Sequence, residues 1–186
     1  MRRFATLLIL FAILLGGCAG SEAAVTPAAD FRAALVQAGS CRFQAEITAD
    51  YGDTVQCFTL ECQADAEGVL RVTVLAPETI ADITATVSEG GGSITYDGMA
   101  LDFELLANGN VAPIAAPAIA VRCWLSEYIA SGGMEKEHYR ATYEKDFDEK
   151  RLTLDTWFEN GLPFLAEVCY NEQRILRMTI SDFSMN

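Results

Sequence analysis

Three kinds of side chain in this sequence could do chemistry: six cysteine thiols, a single imidazole and a short acidic run. A pair of thiols becomes a redox or zinc site at C-x-x-C spacing, and no two of the cysteines stand that close together. Setting Cys18 aside leaves Cys41, Cys57, Cys62, Cys123 and Cys169, an odd set that reads as buried structural thiols. The imidazole, His138, lies among Glu135, Lys136, Glu137 and Arg140 on a solvated strand edge, and one histidine leaves little for a catalytic triad. Asp146, Asp148 and Glu149 lack the glycine and distal glutamate of a calcium loop. Gly90-Gly91-Gly92 precedes a strand rather than a Lys-Ser/Thr helix start, so it is a hairpin turn and not a phosphate loop. No serine is framed as a nucleophile elbow. The expectation is a chain with no catalytic residue, no metal site and no cofactor.

Cys18 is a different case. Arg2 and Arg3 precede an unbroken apolar run from Phe4 to Leu15, and Leu15-Gly16-Gly17 leads directly into Cys18. A basic start, about a dozen apolar residues and small residues at the cut site make a secretory signal, too short to span a hydrocarbon core of about 30 Å. The pattern resembles the lipobox of bacterial lipoproteins, which implies a diacylglyceryl thioether on Cys18 and cleavage before it. Two acyl chains suffice for stable attachment at about 0.8 kcal/mol per buried methylene. Residues 1–17 are therefore expected to be the signal peptide, 18–26 a lipid-anchored tether, and 27–186 a single domain. The expected address is the cell envelope, on the outer face of the plasma membrane or on the outer membrane where there is one.

Charge narrows the partners. Losing Arg2 and Arg3 with the signal takes the formal charge from -13 to -15. Such a surface repels nucleic acid and anionic headgroups and keeps an anchored domain standing off the bilayer.

The elements follow from hydrophobic period. Thr26-Pro27 opens a helix carrying Phe31, Ala34, Leu35 and Ala38, which Gly39 ends. From Cys41 the period becomes two, and about ten short antiparallel strands follow. With Tyr51-Gly52 as a two-residue turn, Phe43 faces Leu60, Ala45 faces Phe58, and Cys41 faces Cys62 closely enough for a possible disulfide. A second helix interrupts the strands, opened by Pro117, with Val121, Trp124, Leu125, Tyr128 and Ile129 as an apolar stripe before Gly132-Gly133. After Asn171-Glu172-Gln173 the last pair sets Val168 against Leu176, Ala166 against Met178 and Phe164 against Ile180.

Ten strands of about eight residues present about 1,200 Å² of face, whereas two helices of about fifteen residues cover about 440 Å². Curling one sheet around the helices resolves the mismatch, and a two-sheet sandwich is the other solution. The expected fold is mainly antiparallel β with two helices: a curled, incomplete barrel with a helical lid or plug. Its hollow would hold an apolar ligand against Phe43, Ile47, Phe58, Leu60, Val72, Val74, Leu101, Phe103, Val121, Trp124, Tyr128, Leu152 and Leu154.

This order of elements, with phrases such as Val74-Leu75-Ala76-Pro77-Glu78-Thr79-Ile80 and Gly161-Leu162-Pro163, resembles the superfamily of the bacterial lipoprotein-localisation carrier and receptor, LolA and LolB-like. The resemblance implies acyl-chain binding in the hollow of the sheet, in a carrier, receptor or sensor that is not a catalyst. An anchored chain cannot shuttle, which favours a receptor, chaperone or sensor. The alternative is a lipid-anchored interaction or scaffold domain with a filled interior and an envelope protein partner.

Overall fold

In a computed structural model of the 186-residue chain, residues 20–50, 55–88, 90–104, 106–107, 110–147 and 150–186 are described. Cys18, the Tyr51-Gly52 turn and the Asp148-Glu149 carboxylates lie outside them. The chain opens with helix α1 (Gly20–Ala38), followed by strands β1 (Ser40–Asp50), β2 (Val55–Asp65), β3 (Leu70–Ala76), β4 (Thr84–Ser88), β5 (Gly91–Tyr96) and β6 (Met99–Phe103). A short ribbon, β7 (Leu106–Ala107) and β8 (Asn110–Val111), leads into helix α2 (Ala116–Leu125). Strands β9 (Tyr128–Glu135), β10 (His138–Phe147), β11 (Lys150–Glu159), β12 (Leu162–Tyr170) and β13 (Gln173–Met185) complete the chain.

Eleven strands form one curled, unclosed antiparallel sheet in the order β6-β5-β4-β3-β2-β1-β13-β12-β11-β10-β9. It is two meanders joined at the centre, where β1 pairs with β13 (Ala45 opposite Ile180, Ile47 opposite Met178, Ala49 opposite Leu176). Alternation builds each strand: in β1, Cys41, Phe43, Ala45, Ile47 and Ala49 are buried, while Arg42, Glu46 and Thr48 are not. One interruption is constructive. A bulge shifts the β1–β13 register between Arg42 and Gln44, and Asp182 sits at φ 53°. The extra residue reverses the alternation, so Phe183 turns inward to stack on Phe43 at 5.6 Å although it lies an odd number of positions from buried Ile180.

Several sequence expectations need correction. Asp50 pairs with Val55, so the first hairpin is linked by 51–54 and its register slips by two residues: Phe43 faces Cys62, Ala45 faces Leu60 and Cys41 faces Ala64. A slip of two preserves every face, which is why the pattern alone could not detect it. Cys41 and Cys62 are diagonal neighbours and free thiols, not directly opposed. Helix α1 begins at Gly20, so most of the expected tether is helical and Pro27 lies inside the helix. Its buried stripe is Ala28, Phe31 and Leu35, and it ends as expected at Gly39 (φ 79°), whose N–H donates to the Leu35 carbonyl at 3.1 Å. Helix α2 stops at Leu125; Tyr128 and Ile129 begin β9, and Gly132-Gly133 lie within that strand. The last hairpin turns on Asn171-Glu172, both at positive φ, and a bulge after Val168 restores the expected pairs Val168–Leu176 and Ala166–Met178. Phe164 is the extra residue where β12 shifts against β11, and its ring meets His138 at 4.6 Å.

Candidate functional site

The face of the sheet that carries the core is the candidate site, and α2 lies on it as a plug. Ala116, Pro117, Ala118, Ile119, Ala120, Val121, Cys123 and Trp124 are all buried. Pro117 takes a first-turn position, where its missing N–H costs no intrahelical bond, and the alanines let the helix sit close to the sheet. Trp124 is the hub. Its ring meets Phe31, Phe43 and Phe183 at 5.8 to 6.0 Å, and its Nε1–H donates to the buried Thr156 Oγ1 at 3.0 Å.

The C-terminal end of α2 is held by charge. A helix end exposes unpaired carbonyls at the negative pole of its dipole. Arg32 of α1 answers them: Nε donates to the Trp124 carbonyl at 2.7 Å, and Nη2 to the Cys123 and Glu127 carbonyls at 3.0 and 2.5 Å. Its guanidinium also lies over the Tyr143 ring, 5.8 Å from the centroid. Glu127 in turn pairs with Lys145 at 2.8 Å. Nothing in the sequence pattern marked Arg32, which follows Phe31 and reads as a solvated position; only the tertiary fold brings it to α2.

The residues expected to line a hollow divide into three groups. Phe43, Ile47, Leu60, Val72, Val74, Val121, Trp124, Leu152 and Leu154 meet in one buried cluster, and Phe58 and Phe103 pack half-buried against it. Helix α2 is buried within this cluster. Leu101 shares the face, because it stands opposite Ile94, which stands opposite buried Ala85, but it is 69% exposed. Tyr128 does not belong: it lies on β9 opposite Glu144, on the other face, and is 70% exposed.

Sequence reasoning missed that the inner face continues past the helices. Tyr96 and Met99, paired across β5 and β6, extend the surface of Ile94, Leu101 and Phe103 and are 57% and 69% exposed. The signal was present in the alternation of β6, which reports the face of a residue and not whether anything covers it. Phe103 lays its ring over Gly92, where a side chain could not fit. The outer face is polar: a surface cleft there is lined by Arg42, Glu61, Gln63, Arg71, Thr73, Thr84 and Thr86. Further round, Asp155 accepts from Arg140 and Thr142, each at 2.6 Å.

Burial raises the thiol pKa of Cys41 to about 11 and of Cys123 to about 12, and that of Cys62 further still. These thiols are protonated and unreactive at neutral pH. The same burial makes stability pH-dependent. Above about pH 9, where thiols of the unfolded chain ionise, the unfolded state holds fewer protons than the folded state, so stability falls as pH rises. The urea midpoint is expected to be level from about pH 7 to 8 and to fall between about pH 9 and 11. A level midpoint to pH 11 would show that the thiols are not buried.

No family model matches the chain, and no curated protein matches its sequence. Among solved structures, likenesses are found at low sequence identity. The chain is similar to a LolA superfamily protein from Nitrosomonas europaea (TM-score 0.45, 9% identity, covering 86% of this chain and 93% of that one). It is also similar to the lipoprotein LppX from Mycobacterium tuberculosis (TM-score 0.41, 8% identity, 88% and 97% covered). A third likeness is to LprF from Mycobacterium bovis (TM-score 0.38, 12% identity, 90% and 98% covered).

Proposed function

We propose that this chain is a cell-envelope lipoprotein, held to the membrane by a lipid on Cys18, that binds a lipid acyl chain or similar apolar molecule on the inner face of its sheet. Its role is binding, as a carrier, receptor or sensor, rather than catalysis. The observation that carries this reading is that the apolar inner face outruns its own helices, leaving Tyr96, Met99 and Leu101 exposed beside half-buried Ile94 and Phe103. An uncovered apolar strip continuous with the core is where an apolar ligand gains most from leaving water. The buried cluster under α2 becomes available only when the helix moves. The polar hold of Arg32 on α2 is the contact that would have to open. A filled interior favours a second reading, an envelope interaction or scaffold domain in which Val121 and Trp124, both 0% exposed, serve stability alone.

Native mass spectrometry with organic extraction, on the mature chain, separates the two. Extra mass in the range of a lipid is expected on the wild type. Replacing Arg32 with methionine, which removes the donors and keeps an apolar stem, is expected to speed lipid exchange about tenfold, the effect of about 1.4 kcal/mol on the opening equilibrium. A bare polypeptide mass after incubation with lipids, in wild type and variant alike, would refute the first reading and leave the second.

A further inference from the structure

The sheet has two edges, and the fold treats them unequally. At β9, α1 packs on the inner face of the edge strand: an added Cβ on Gly132, opposite buried Ala141, would stand 2.5 Å from the Ala24 carbonyl oxygen, and the Tyr139 hydroxyl bonds that same carbonyl. At the other end of the strand order is β6, whose residues from Met99 to Asp102 are exposed on both faces. Edge strands direct about every second N–H and C=O away from the sheet, and proteins blunt them with lysine, proline, bulges or a covering element. Among the described residues β6 has none of these: it contains no lysine or proline, and it pairs with β5 without a register shift.

Charge selects what such an edge accepts. Between Arg71 and Arg122 the sequence carries six acidic residues and not one lysine or arginine. Asp102 and Glu104 flank the apolar positions of β6, and both are exposed. Among the described residues neither has an ion pair. A second copy of the chain is a poor fit. Antiparallel self-pairing about Leu101 would set Asp102 diagonally against its own copy, and each copy carries a formal charge of -13. Anionic lipid headgroups are repelled for the same reason.

We propose that the β6 edge is a docking site for an extended segment of a partner protein in which apolar residues alternate with lysine or arginine. The segment adds antiparallel as a twelfth strand, with its apolar side chains beside Met99, Leu101 and Phe103 and its cations facing Asp102 and Glu104. Main-chain bonds supply affinity, and the alternation supplies specificity. The apolar half of this site is the strip of Met99, Leu101 and Phe103 on which the proposed lipid would also lie, so the two occupants compete there, whereas the main-chain edge with Asp102 and Glu104 serves the peptide alone.

The test uses the full chain with two labelled probes, an eight-residue acetylated peptide alternating lysine with valine and its counterpart with glutamate for lysine. Fluorescence anisotropy is expected to show binding of the cationic peptide only. Hydrogen exchange is expected to slow at Met99–Phe103 in its presence. The double variant Asp102→Lys, Glu104→Lys changes only exposed side chains, and its fold is checked by circular dichroism. It is expected to weaken the cationic peptide about tenfold or more and to gain binding of the acidic one. Equal affinity for both peptides, no effect of charge reversal, protection mapped elsewhere, or a concentration-dependent dimer that protects β6 without peptide would each overturn the proposal.

Discussion

Replacing Trp124 with alanine is expected to lower the unfolding free energy by about 3 to 5 kcal/mol, read as a drop in the urea midpoint at unchanged slope. The indole is fully buried and touches rings contributed by α1, β1 and β13, so its removal opens a cavity where the three meet. It also leaves the hydroxyl of Thr156, 0% exposed, without the Nε1–H donor it faces at 3.0 Å. Phenylalanine at this position separates the two contributions. It keeps most ring contacts and loses the hydrogen bond, so its cost should fall to about 1 to 2 kcal/mol. An alanine variant within about 1 kcal/mol of wild type would mean that α2 is not anchored through this ring.

The second large effect is expected at a residue with no side chain. A methyl group on Gly132 would stand 2.5 Å from the Ala24 carbonyl oxygen and would collide with the Tyr139 hydroxyl. The displaced contact matters because Pro27 lies inside α1 and offers no N–H to the helix there. The Tyr139 hydroxyl donates to the Ala24 carbonyl at 2.9 Å, a side-chain tie that holds this turn of α1 to the sheet. Gly132→Ala is therefore expected to destabilise by about 1 to 3 kcal/mol and to expose residues 24–28 to proteolysis. Gly133, one position on, has nothing within 4 Å of an added Cβ, and Gly133→Ala should be close to neutral. Equal behaviour of the two variants would refute the close seat of α1 on β9.

The contrast between these neighbouring glycines shows how far the sequence is legible. Alternation in Cys41 to Ala49 identified a strand and its buried face without ambiguity, because period two reports local geometry. It could not distinguish a two-residue link from a four-residue one, since both put Phe43 on the same side. Helical spacing from Val121 to Ile129 was equally persuasive and was misleading. Leu125 is the last helical residue: Ser126 N–H closes the final helical bond onto the Arg122 carbonyl, which its Oγ–H also caps, and Arg32 takes the Cys123 and Trp124 carbonyls that a further turn would have used. That ending is decided by a side chain some ninety residues away, so no local window contains it. Gly132-Gly133 resembled a helix stop for the same reason: the approach of α1, which explains Gly132, is tertiary. At the candidate site, the buried members of the expected lining were readable from period, whereas the exposure of Leu101 and the misplacement of Tyr128 depended on where two helices and a turn came to rest.

The union of β1 with β13 has a consequence for how the molecule comes together. Each meander can zip from its own hairpins, with partners close along the chain, whereas Ala45 must find Ile180. Contacts of such long sequence separation are slow to form, because the loop between them must be ordered before they return any stabilisation. Until β13 arrives, the growing sheet ends at the flank of β1, an apolar strand with an unpaired edge. Most domains tolerate trimming at the C-terminus, where chains fray. Here the last strand is the keystone: it fills the middle of the sheet, and even the Asn186 N–H closes onto the Ser40 carbonyl at 3.1 Å. Assembly finishes at the centre rather than at the rim.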